Sequence, residues 1–363
     1  MEKVMFYING IAGGGAERVI TNLANGFEEK GYQSVMVTSF VRPQNEYPLN
    51  KGVKRISIEQ EEIKQSFLKR NISRIKALRQ ICKKEKPDVI VSFMAEPNYR
   101  SLIATAGLGI KRVISVRTDP VREYAGKLGY FLSRHLLIRT DGCVFQTEDA
   151  RAWFPVKLQN KSTIIFNMVK PAFYNAPTPT LNKKIVSCSR IVEKKNLGML
   201  VNAFEKIYEE DPEVELLIYG DGPYMEKLLE IVNNSSAKKH IYIKGQSDDV
   251  PKALSECSIF VLSSNFEGAP NSLMEAMAVG LACISTDCPC GGPRMLIDNT
   301  TNGLLIDVGD VDGLADAMRK LLSNNELCLK YGAAAKKRAE AFKSDVVLDK
   351  WEQYLKYICD GKV

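Results

Sequence analysis

Two basic residues in the second half of the chain have the types and spacing to bind the phosphates of an anionic ligand. Arg190 and Lys195 follow a short apolar run, residues 184–188, whose composition is typical of a buried strand. Ligands of parallel sheets bind beyond the carboxyl ends of the strands, so both cations are expected at the ligand-binding edge. Fixed cations at that edge would stabilise negative charge that grows on a departing phosphate.

Two acidic residues follow a later strand-like run, residues 258–262. Glu267 precedes the pair Pro270 and Asn271, which predicts a helix start with asparagine able to cap it, and Glu275 lies about one turn inside the helix. The first amides of such a helix, here those of Asn271, Ser272 and Leu273, have no acceptor within it and favour an anion. Together with the two cations, these groups predict one site.

A glycine-rich loop follows the first predicted strand and opens a helix at residues 10–18. Gly14 and Gly15 would let the backbone approach a phosphate or sugar, although a plain strand-to-helix turn is the alternative. Arg18 stands where the dinucleotide fingerprint requires its third glycine, and no acid follows the second strand. A dehydrogenase is therefore disfavoured.

Short β-branched runs alternate with amphipathic stretches along the 363 residues, which predicts parallel sheets wrapped by helices. The fold class is α/β, with two doubly wound Rossmann-like domains facing each other across a cleft. We expect an N-terminal domain at 1–172, a linker at 171–182 and a C-terminal domain at 183–344, with a final helix at 345–360 packing back on the first domain. The predicted strands are 4–9, 34–40, 53–58, 88–94, 112–117, 142–146, 163–166, 184–188, 215–219, 241–244, 258–262, 282–286 and 303–306.

Four motifs resemble family 4 of the retaining glycosyltransferases, which have the GT-B fold. They are the two glutamates with seven residues between them, the S-R-(x4)-K element at 189–195, the GDGP loop at 220–223 and the GGGAER run at 13–18. The resemblance covers nearly the whole chain. The stretch DCPCGGPR at 287–294 resembles the bacterial branch that builds lipid-linked oligosaccharides, capsules and O-antigens.

The resemblance implies a role for each residue of the predicted site. Arg190 and Lys195 would hold the donor diphosphate together with the amides at 271–273, and Glu275 would accept hydrogen bonds from the ribose. Glu267 would bind hydroxyls of the transferred sugar, and the backbone around Gln246 would lie against the base. Relatives often carry a histidine after the fifth strand, where this chain has Arg117 and, two residues on, Asp119; either would border the reacting centre.

The implied reaction is retaining transfer of a hexose or N-acetylhexosamine from a nucleotide sugar, with uridine as its base, to a polyprenyl-diphosphate-linked saccharide. No cofactor and no metal are expected, and we interpret Asp310-Val311-Asp312 as a helix cap rather than a metal motif. Two alternatives stay open. One is a sugar-nucleotide epimerase on the same fold, and the other is a non-catalytic partner subunit that binds a nucleotide sugar.

Charge is distributed unevenly along the chain. Residues 1–170 carry 28 Lys and Arg against 16 Asp and Glu, whereas residues 171–363 carry 22 against 27. Within 64–86, Lys69, Arg70, Arg74 and Lys76 could face lipid head groups or an acceptor diphosphate, or could simply be solvated. Residues 124–139 suit an interfacial helix, although packing alone would also explain them. Nucleic acid is a weak alternative because the basic region lacks interleaved aromatic residues.

The remaining composition excludes several classes. No apolar run approaches the ~18 residues of a membrane span, and the start is too weakly apolar for a signal peptide. Nine scattered cysteines and two histidines predict reduced thiols, without zinc sites or Ser-His-Asp triads. We therefore expect a cytoplasmic protein that associates peripherally with the anionic inner leaflet of the membrane.

Overall fold

The computed structural model describes residues 1–41, 46–59 and 66–361. The chain divides into two compact units, Met1–Met168 with Asp345–Val363, and Val169–Ser344. Residues 169–172 belong to the second unit rather than the first, because the amide of Val169 donates to the carbonyl of Phe342 over 2.9 Å. The expected linker is partly helical and is tied to the same unit, since the Tyr174 hydroxyl donates to the carbonyl of Ala339 over 2.8 Å.

Within the described ranges, the first unit has a seven-stranded parallel sheet in the order β3-β2-β1-β4-β5-β6-β7. Its elements are β1 (Lys3–Ile8), α1 (Gly15–Glu29), β2 (Gln33–Phe40), β3 (Lys54–Glu59), α2 (Phe67–Glu85), β4 (Val89–Phe93), α3 (Ala95–Ala104), β5 (Lys111–Ser115), α4 (Pro120–Glu123), α5 (Gly126–His135), β6 (Gly142–Phe145), α6 (Glu148–Ala152), α7 (Val156–Gln159) and β7 (Ser162–Ile164).

The second unit has a parallel sheet of six strands within the same described part of the chain, in the order β10-β9-β8-β11-β12-β13. Its elements are α8 (Pro171–Tyr174), β8 (Lys184–Cys188), α9 (Leu197–Glu210), β9 (Glu215–Tyr219), α10 (Met225–Asn234), β10 (Ile241–Gly245), α11 (Val250–Ser255), β11 (Ile259–Leu262), α12 (Asn271–Val279), β12 (Ala282–Thr286), α13 (Gly292–Leu296), β13 (Leu304–Ile306), α14 (Val311–Leu322) and α15 (Asn325–Ala339). The final helix, α16 (Ser344–Cys359), packs on the sheet of the first unit.

Side chains of a strand point alternately to the two faces of its sheet, and helices cover both faces of the sheet of the first unit. Val4, Phe6 and Ile8 of β1 pack with α1 and α16, where Trp351 is fully buried. Met5 and Tyr7, between them in sequence, pack against α2. This two-sided covering is the doubly wound arrangement that the alternation of strands and helices predicts.

No helix within the described residues is both long and apolar enough to cross a bilayer.

Candidate active site

The four residues predicted to form one site all lie in the second unit, at the carboxyl edge of its sheet. Arg190 and Lys195 follow β8, while Glu267 and Glu275 follow β11. These two strands are hydrogen-bonded neighbours, although β9 and β10 lie between them in sequence. The strand order therefore reverses direction between β8 and β11, and ligands of open α/β sheets bind beside such a reversal.

The loop after β8 is held in place by two glycines of the loop after β9. A Cβ at Gly220 would meet the carbonyl oxygen of Ser189 at 1.8 Å, and one at Gly222 would meet that of Ile191 at 2.1 Å. Only glycine permits this approach, and Gly220 has the φ of +138° that glycine tolerates. Arg190 lies between the two contact points and its side chain is exposed at the sheet edge. The GDGP motif thus supports the backbone that presents Arg190.

The loop after β10 contacts the loop after β9. The carbonyl of Gly245, the residue before Gln246, accepts a hydrogen bond of 2.7 Å from the amide of Gly220. Gln246, the next residue in sequence, is exposed. Its predicted role against a base stays a prediction, and the contact places its backbone next to the loop that supports Arg190.

Lys195 and Glu267 form an ion pair, with 2.5 Å between Nζ and Oε1. Both side chains are largely buried, at 12% and 9% exposure. Lys195 ends a single 3-10 turn, and the next residue, Asn196, has a left-handed φ of 46°. The predicted cation and the predicted sugar-binding carboxylate therefore meet directly, across 72 residues of sequence.

Two further hydrogen bonds hold the loops of this pair together. The Ser263 hydroxyl donates to the carbonyl of Lys195 over 2.9 Å, and the amide of Asn265 donates to the carbonyl of Lys194 over 2.8 Å. Ser264 adds a 2.8 Å hydrogen bond to the same Glu267 oxygen that Lys195 contacts. The pair is positioned by backbone on both sides, so its geometry does not depend on the two side chains alone.

The charge state of Glu267 follows from these neighbours. Burial by itself would raise the pKa of this carboxyl, but Lys195 and Lys194 more than offset it and the pKa lies below its ordinary value. Glu267 is therefore an anion at neutral pH. A buried carboxylate with one paired oxygen is a group that can accept hydrogen bonds from sugar hydroxyls.

Helix α12 begins where the sequence predicts, with one difference in its cap. Pro270 occupies the capping position and Asn271 is the first helical residue, so Asn271 is not the expected cap. Asn271 and Ser272 are partly exposed, Leu273 is buried, and Glu275 lies one turn into the helix with 8% exposure. The amide of Met274 is the first to bond within the helix, to the carbonyl of Pro270.

The loop after β12, which contains the CPC motif, packs on the loop that carries Glu267. The amide of Glu267 donates to the carbonyl of Pro289 over 3.1 Å, and a Cβ at Gly292 would lie 1.5 Å from the carbonyl oxygen of Gly268. Burial, with the nearby Glu267 carboxylate, raises the pKa of the Cys288 thiol to about 12. This cysteine is therefore a buried, protonated thiol that supports the loop. Sequence reasoning missed this supporting role.

The candidate metal motif is a helix cap, as expected. Asp310 accepts a 2.8 Å hydrogen bond from the amide of Gly313 at the start of α14, and Asp312 pairs with Lys206 at 2.9 Å.

In the first unit, Gly14 and Gly15 begin α1 at the carboxyl end of β1, and Gly13 has the left-handed φ of 73°. A Cβ at Gly14 would come within 1.9 Å of a Glu17 carboxylate oxygen, so the Glu17 side chain folds over this glycine. A carboxylate thus lies where a phosphate was expected. The phosphate role of Gly14 and Gly15 stays a prediction.

Arg117 lies beyond the end of β5 and is 8% exposed. Its guanidinium donates to Asn167 and to Ser115, and it lies 4.6 Å from the Phe93 ring. Burial lowers the pKa of Arg117 to about 9. Asp119, the other candidate there, caps α4 by accepting a 3.0 Å hydrogen bond from Val121.

Two residues beside Arg117 were not predicted. Gln146 follows β6 and donates to Asn167 over 2.7 Å, and Asn167 in turn accepts from Arg117. Gln146 directly follows the buried strand β6 and Asn167 comes three residues after β7, and polar residues close behind strands are the signal that could have identified them.

The predicted cationic surface of α2 requires a correction. Arg74 is not on the surface, being 1% exposed, and its guanidinium pairs with both carboxylate oxygens of Glu59 at 2.9 and 2.7 Å. It also lies 5.4 Å from the Phe40 ring. Lys69 and Lys76 are exposed and can meet an anionic partner, whereas Arg70 is half-buried. Lys64 lies outside the described residues.

Comparison with known proteins identifies both halves of the chain. A family model described as "Glycosyltransferase Family 4" matches residues 13–173, and one described as "Glycosyl transferases group 1" matches residues 174–338. Together the two models span both units.

Two individual relatives align with this chain along most of their length. The lipopolysaccharide core biosynthesis glycosyltransferase LpsE of Rhizobium meliloti is 26% identical, with 86% of this chain and 87% of LpsE aligned. The N-acetylgalactosamine-N,N'-diacetylbacillosaminyl-diphospho-undecaprenol 4-alpha-N-acetylgalactosaminyltransferase of Campylobacter jejuni is 25% identical, over 94% of this chain and 96% of its own.

The fold is also that of a solved structure, Anabaena HepE in complex with UDP and glucose. The TM-score is 0.80 at 15% identity, with 98% of this chain and 100% of HepE covered. The two Rossmann-like units, the two family models and the full-length relatives lead to one conclusion: the chain is a glycosyltransferase of family 4, with the GT-B fold.

Proposed function

We propose that this glycosyltransferase moves a hexose or an N-acetylhexosamine from a UDP-sugar to a saccharide carried on polyprenyl diphosphate, with retention at the anomeric carbon. The Campylobacter relative supports the acceptor class, since its name specifies a diphospho-undecaprenol-linked sugar. The UDP complex of HepE supports the donor class. The product would enter a bacterial surface glycan, consistent with the lipopolysaccharide role in the name of LpsE.

The observation that carries the proposal is the Lys195–Glu267 pair beside the start of α12, at the reversal of strand order. A cation, an anion and a helix N-terminus within one small region suit a ligand that has both phosphates and hydroxyls. In the proposed complex Arg190, Lys195 and the amides of 271–273 bind the diphosphate. Glu267 and Glu275 accept hydrogen bonds from hydroxyls of the sugar and the ribose.

Transfer breaks the bond between the anomeric carbon and a donor phosphate oxygen, and forms one from that carbon to an acceptor hydroxyl oxygen. Negative charge grows on the departing diphosphate as the sugar becomes oxocarbenium-like. Arg190, Lys195 and the helix amides would stabilise that charge without a metal ion. The hydroxyl proton would pass to the departing phosphate on the same face of the sugar, which retains its configuration.

We further propose that the enzyme works at the inner leaflet of the membrane, where a polyprenyl-linked acceptor is anchored. Lys69 and Lys76 of α2 are the exposed cations of the original prediction that would meet lipid head groups or the acceptor diphosphate. Arg74 is excluded from this role by its burial against Glu59.

The test is turnover with a synthetic polyprenyl-diphosphate sugar and a panel of UDP-sugars, in EDTA, with UDP release and product mass measured together. We expect one UDP per transferred sugar, without added metal. Lys195→Ala should lower turnover about 10²–10³-fold, because it removes a donor aimed at the growing charge.

Lys206→Ala is the matched control. Lys206 also pairs with a carboxylate, that of Asp312 at 2.9 Å, but both side chains are exposed, and they belong to α9 and α14 rather than to the loops that carry Lys195 and Glu267. Its loss should leave turnover unchanged. Interconversion of donor sugars without UDP release would identify an epimerase, and tight donor binding without turnover on any acceptor would identify a non-catalytic partner. Either result contradicts the proposal.

A further inference from the structure

Helix α5 exposes three of its large apolar or aromatic side chains. Leu128, Tyr130 and Phe131 are 68%, 53% and 56% exposed. The one fully buried residue of α5 is the small Ser133, whereas Leu132 and Arg134 are only partly buried, and a Cβ at Gly129 would lie 2.8 Å from the carbonyl oxygen of Tyr124. A surface helix normally buries its large apolar residues and exposes its polar ones. Burial within the unit therefore does not explain why Leu128 and Phe131 are apolar.

The helix is fixed firmly enough to present this face. The Tyr99 hydroxyl of α3 donates to the carbonyl of Gly129 over 3.3 Å. The Arg134 guanidinium lies 4.7 Å from the Tyr130 ring and 4.4 Å from the Trp153 ring. Tyr130 and Trp153 also meet edge to face at 5.8 Å. These contacts anchor one side of α5 to the unit and leave Leu128 and Phe131, which are three residues apart, on the outer side.

The charges around this face are positive. Lys127 and Arg139 are exposed, and Arg122 is 61% exposed beside its contact with Asp119. Glu123 is the one acid among residues 120–139, and its carboxylate is turned inward to accept a 2.8 Å hydrogen bond from the amide of Ala95. Val121, on the preceding turn, adds a further apolar side chain at 60% exposure.

We propose that Val121, Lys127, Leu128 and Phe131, here named the α5 face, insert into the surface of an anionic lipid bilayer. Exposed leucine and phenylalanine beside lysine and arginine match an interfacial helix, which buries apolar side chains at the head-group boundary and pairs its cations with lipid phosphates. The cations beside these apolar side chains favour an anionic lipid surface as the occupant, because they complement its negative charge.

The proposal deepens the proposed function by naming the surface that brings the enzyme to a membrane-anchored acceptor. It also changes the expected membrane contact, because burial of Arg74 removes one of the four predicted cations of α2. Binding to lipid can be measured without turnover, so the two proposals can fail separately.

The experiment measures binding of the full chain to vesicles of phosphatidylcholine alone and of phosphatidylcholine with phosphatidylglycerol, by cosedimentation and by tryptophan emission. The chain has two tryptophans, Trp153 beside Tyr130 and Trp351 in the core, so a change of emission on binding reports mainly on Trp153. We expect binding to the anionic vesicles with a blue shift, and weak binding to phosphatidylcholine.

The paired substitution Leu128→Glu with Phe131→Glu should lower partition into anionic vesicles about tenfold or more. Both side chains are exposed, so folding should be kept. Leu229→Glu with Leu329→Glu is the matched control, since these leucines of the second unit are 43% and 52% exposed. The control should bind vesicles as the unchanged chain does. Lys127→Glu should weaken binding to the anionic vesicles and leave binding to phosphatidylcholine vesicles unchanged.

Three results would overturn the α5 face as a membrane surface. They are no binding of the unchanged chain to anionic vesicles, equal binding by the Leu128/Phe131 variant, or a dimer that this variant converts to monomer in solution. Turnover of a short-chain, water-soluble acceptor should be unchanged in the variant. If turnover is absent for every form while lipid binding behaves as expected, the catalytic proposal fails and this one stands.

Discussion

Single residues of this chain acquire their roles from what lies beside them after folding, and Arg74 illustrates this. In sequence it is one of nine basic residues in a positively charged stretch. In the fold it is buried and paired with Glu59. The helical spacing already contained the signal, because Arg74 lies four residues before Leu78 and eight before Cys82, both of which are buried. Its partner Glu59, fifteen residues earlier on another element, could not be inferred from that spacing.

Arg74→Ala should therefore destabilise the first unit rather than weaken an interaction with lipid. Removing one partner of a buried ion pair leaves the other charge uncompensated, which costs about 3–5 kcal/mol. Denaturant unfolding of the variant measures this loss. Lys76→Ala, two residues along the same helix and exposed, is the control and should change the unfolding free energy by less than about 0.5 kcal/mol. Unchanged stability with reduced vesicle binding in Arg74→Ala would restore the original interpretation.

The residues that bind the donor in our proposal could be listed from sequence, but their mutual contacts could not. Residue types and a family resemblance predicted Arg190, Lys195, Glu267 and Glu275. That Lys195 and Glu267 touch depends on the pairing of β8 with β11, which is a property of the folded sheet. The same holds for Asn167, which accepts hydrogen bonds from both Arg117 and Gln146 because β5, β6 and β7 are neighbours.

At the scale of elements, the sequence predicted the strands well because buried parallel strands are short, continuous apolar runs. Each of the thirteen predicted strands overlaps one in the described residues, and α12 starts beside the predicted pair Pro270 and Asn271. The ends of elements were less accurate. Arg117 was placed inside a strand that ends at Ser115, and Asn271 was expected to cap a helix that Pro270 precedes.

Sequence patterns did not predict the contacts between loops that glycines allow in this site. Gly220, Gly222 and Gly292 each allow one loop of the second unit to touch the backbone of another. These approaches fix where Arg190 and Glu267 lie, although none of the three glycines carries a functional group.

Gly292→Ala should impair catalysis without touching a charged residue. The new Cβ would lie 1.5 Å from the carbonyl oxygen of Gly268, so the loop that carries Glu267 must shift. A displacement of about 1 Å in a positioning loop can cost about 10²-fold in rate. Steady-state turnover measures this effect, with UDP-sugar and acceptor both saturating.

Gly198→Ala provides the comparison for that variant. Its new Cβ would be 3.2 Å from a flexible end of Ile231, and alanine is favoured over glycine within a helix such as α9 by about 1 kcal/mol. We expect normal turnover and equal or higher stability. Equal turnover in both variants would show that the Gly268–Gly292 contact does not position Glu267.

At the scale of the whole molecule, the chain separates its tasks between two units. The second unit contains Arg190, Lys195, Glu267 and Glu275, and the first contains most of the excess positive charge and the α5 face. This distribution suits an enzyme that binds a soluble donor with one unit and meets an anionic, membrane-anchored acceptor with the other. Composition alone predicted the charge difference, but the outward-facing residues of α5 became evident only in the fold.

The central claim is that one sugar diphosphate binds at the edge of the second sheet. A crystal structure of the enzyme with a bound UDP-sugar tests it most directly. We predict that the diphosphate lies within hydrogen-bond distance of Arg190, Lys195 and the first amides of α12, with Glu267 on the sugar and Glu275 on the ribose. A diphosphate bound instead at the Gly14–Gly15 turn of the first unit, with no contact to those four side chains, would contradict the account.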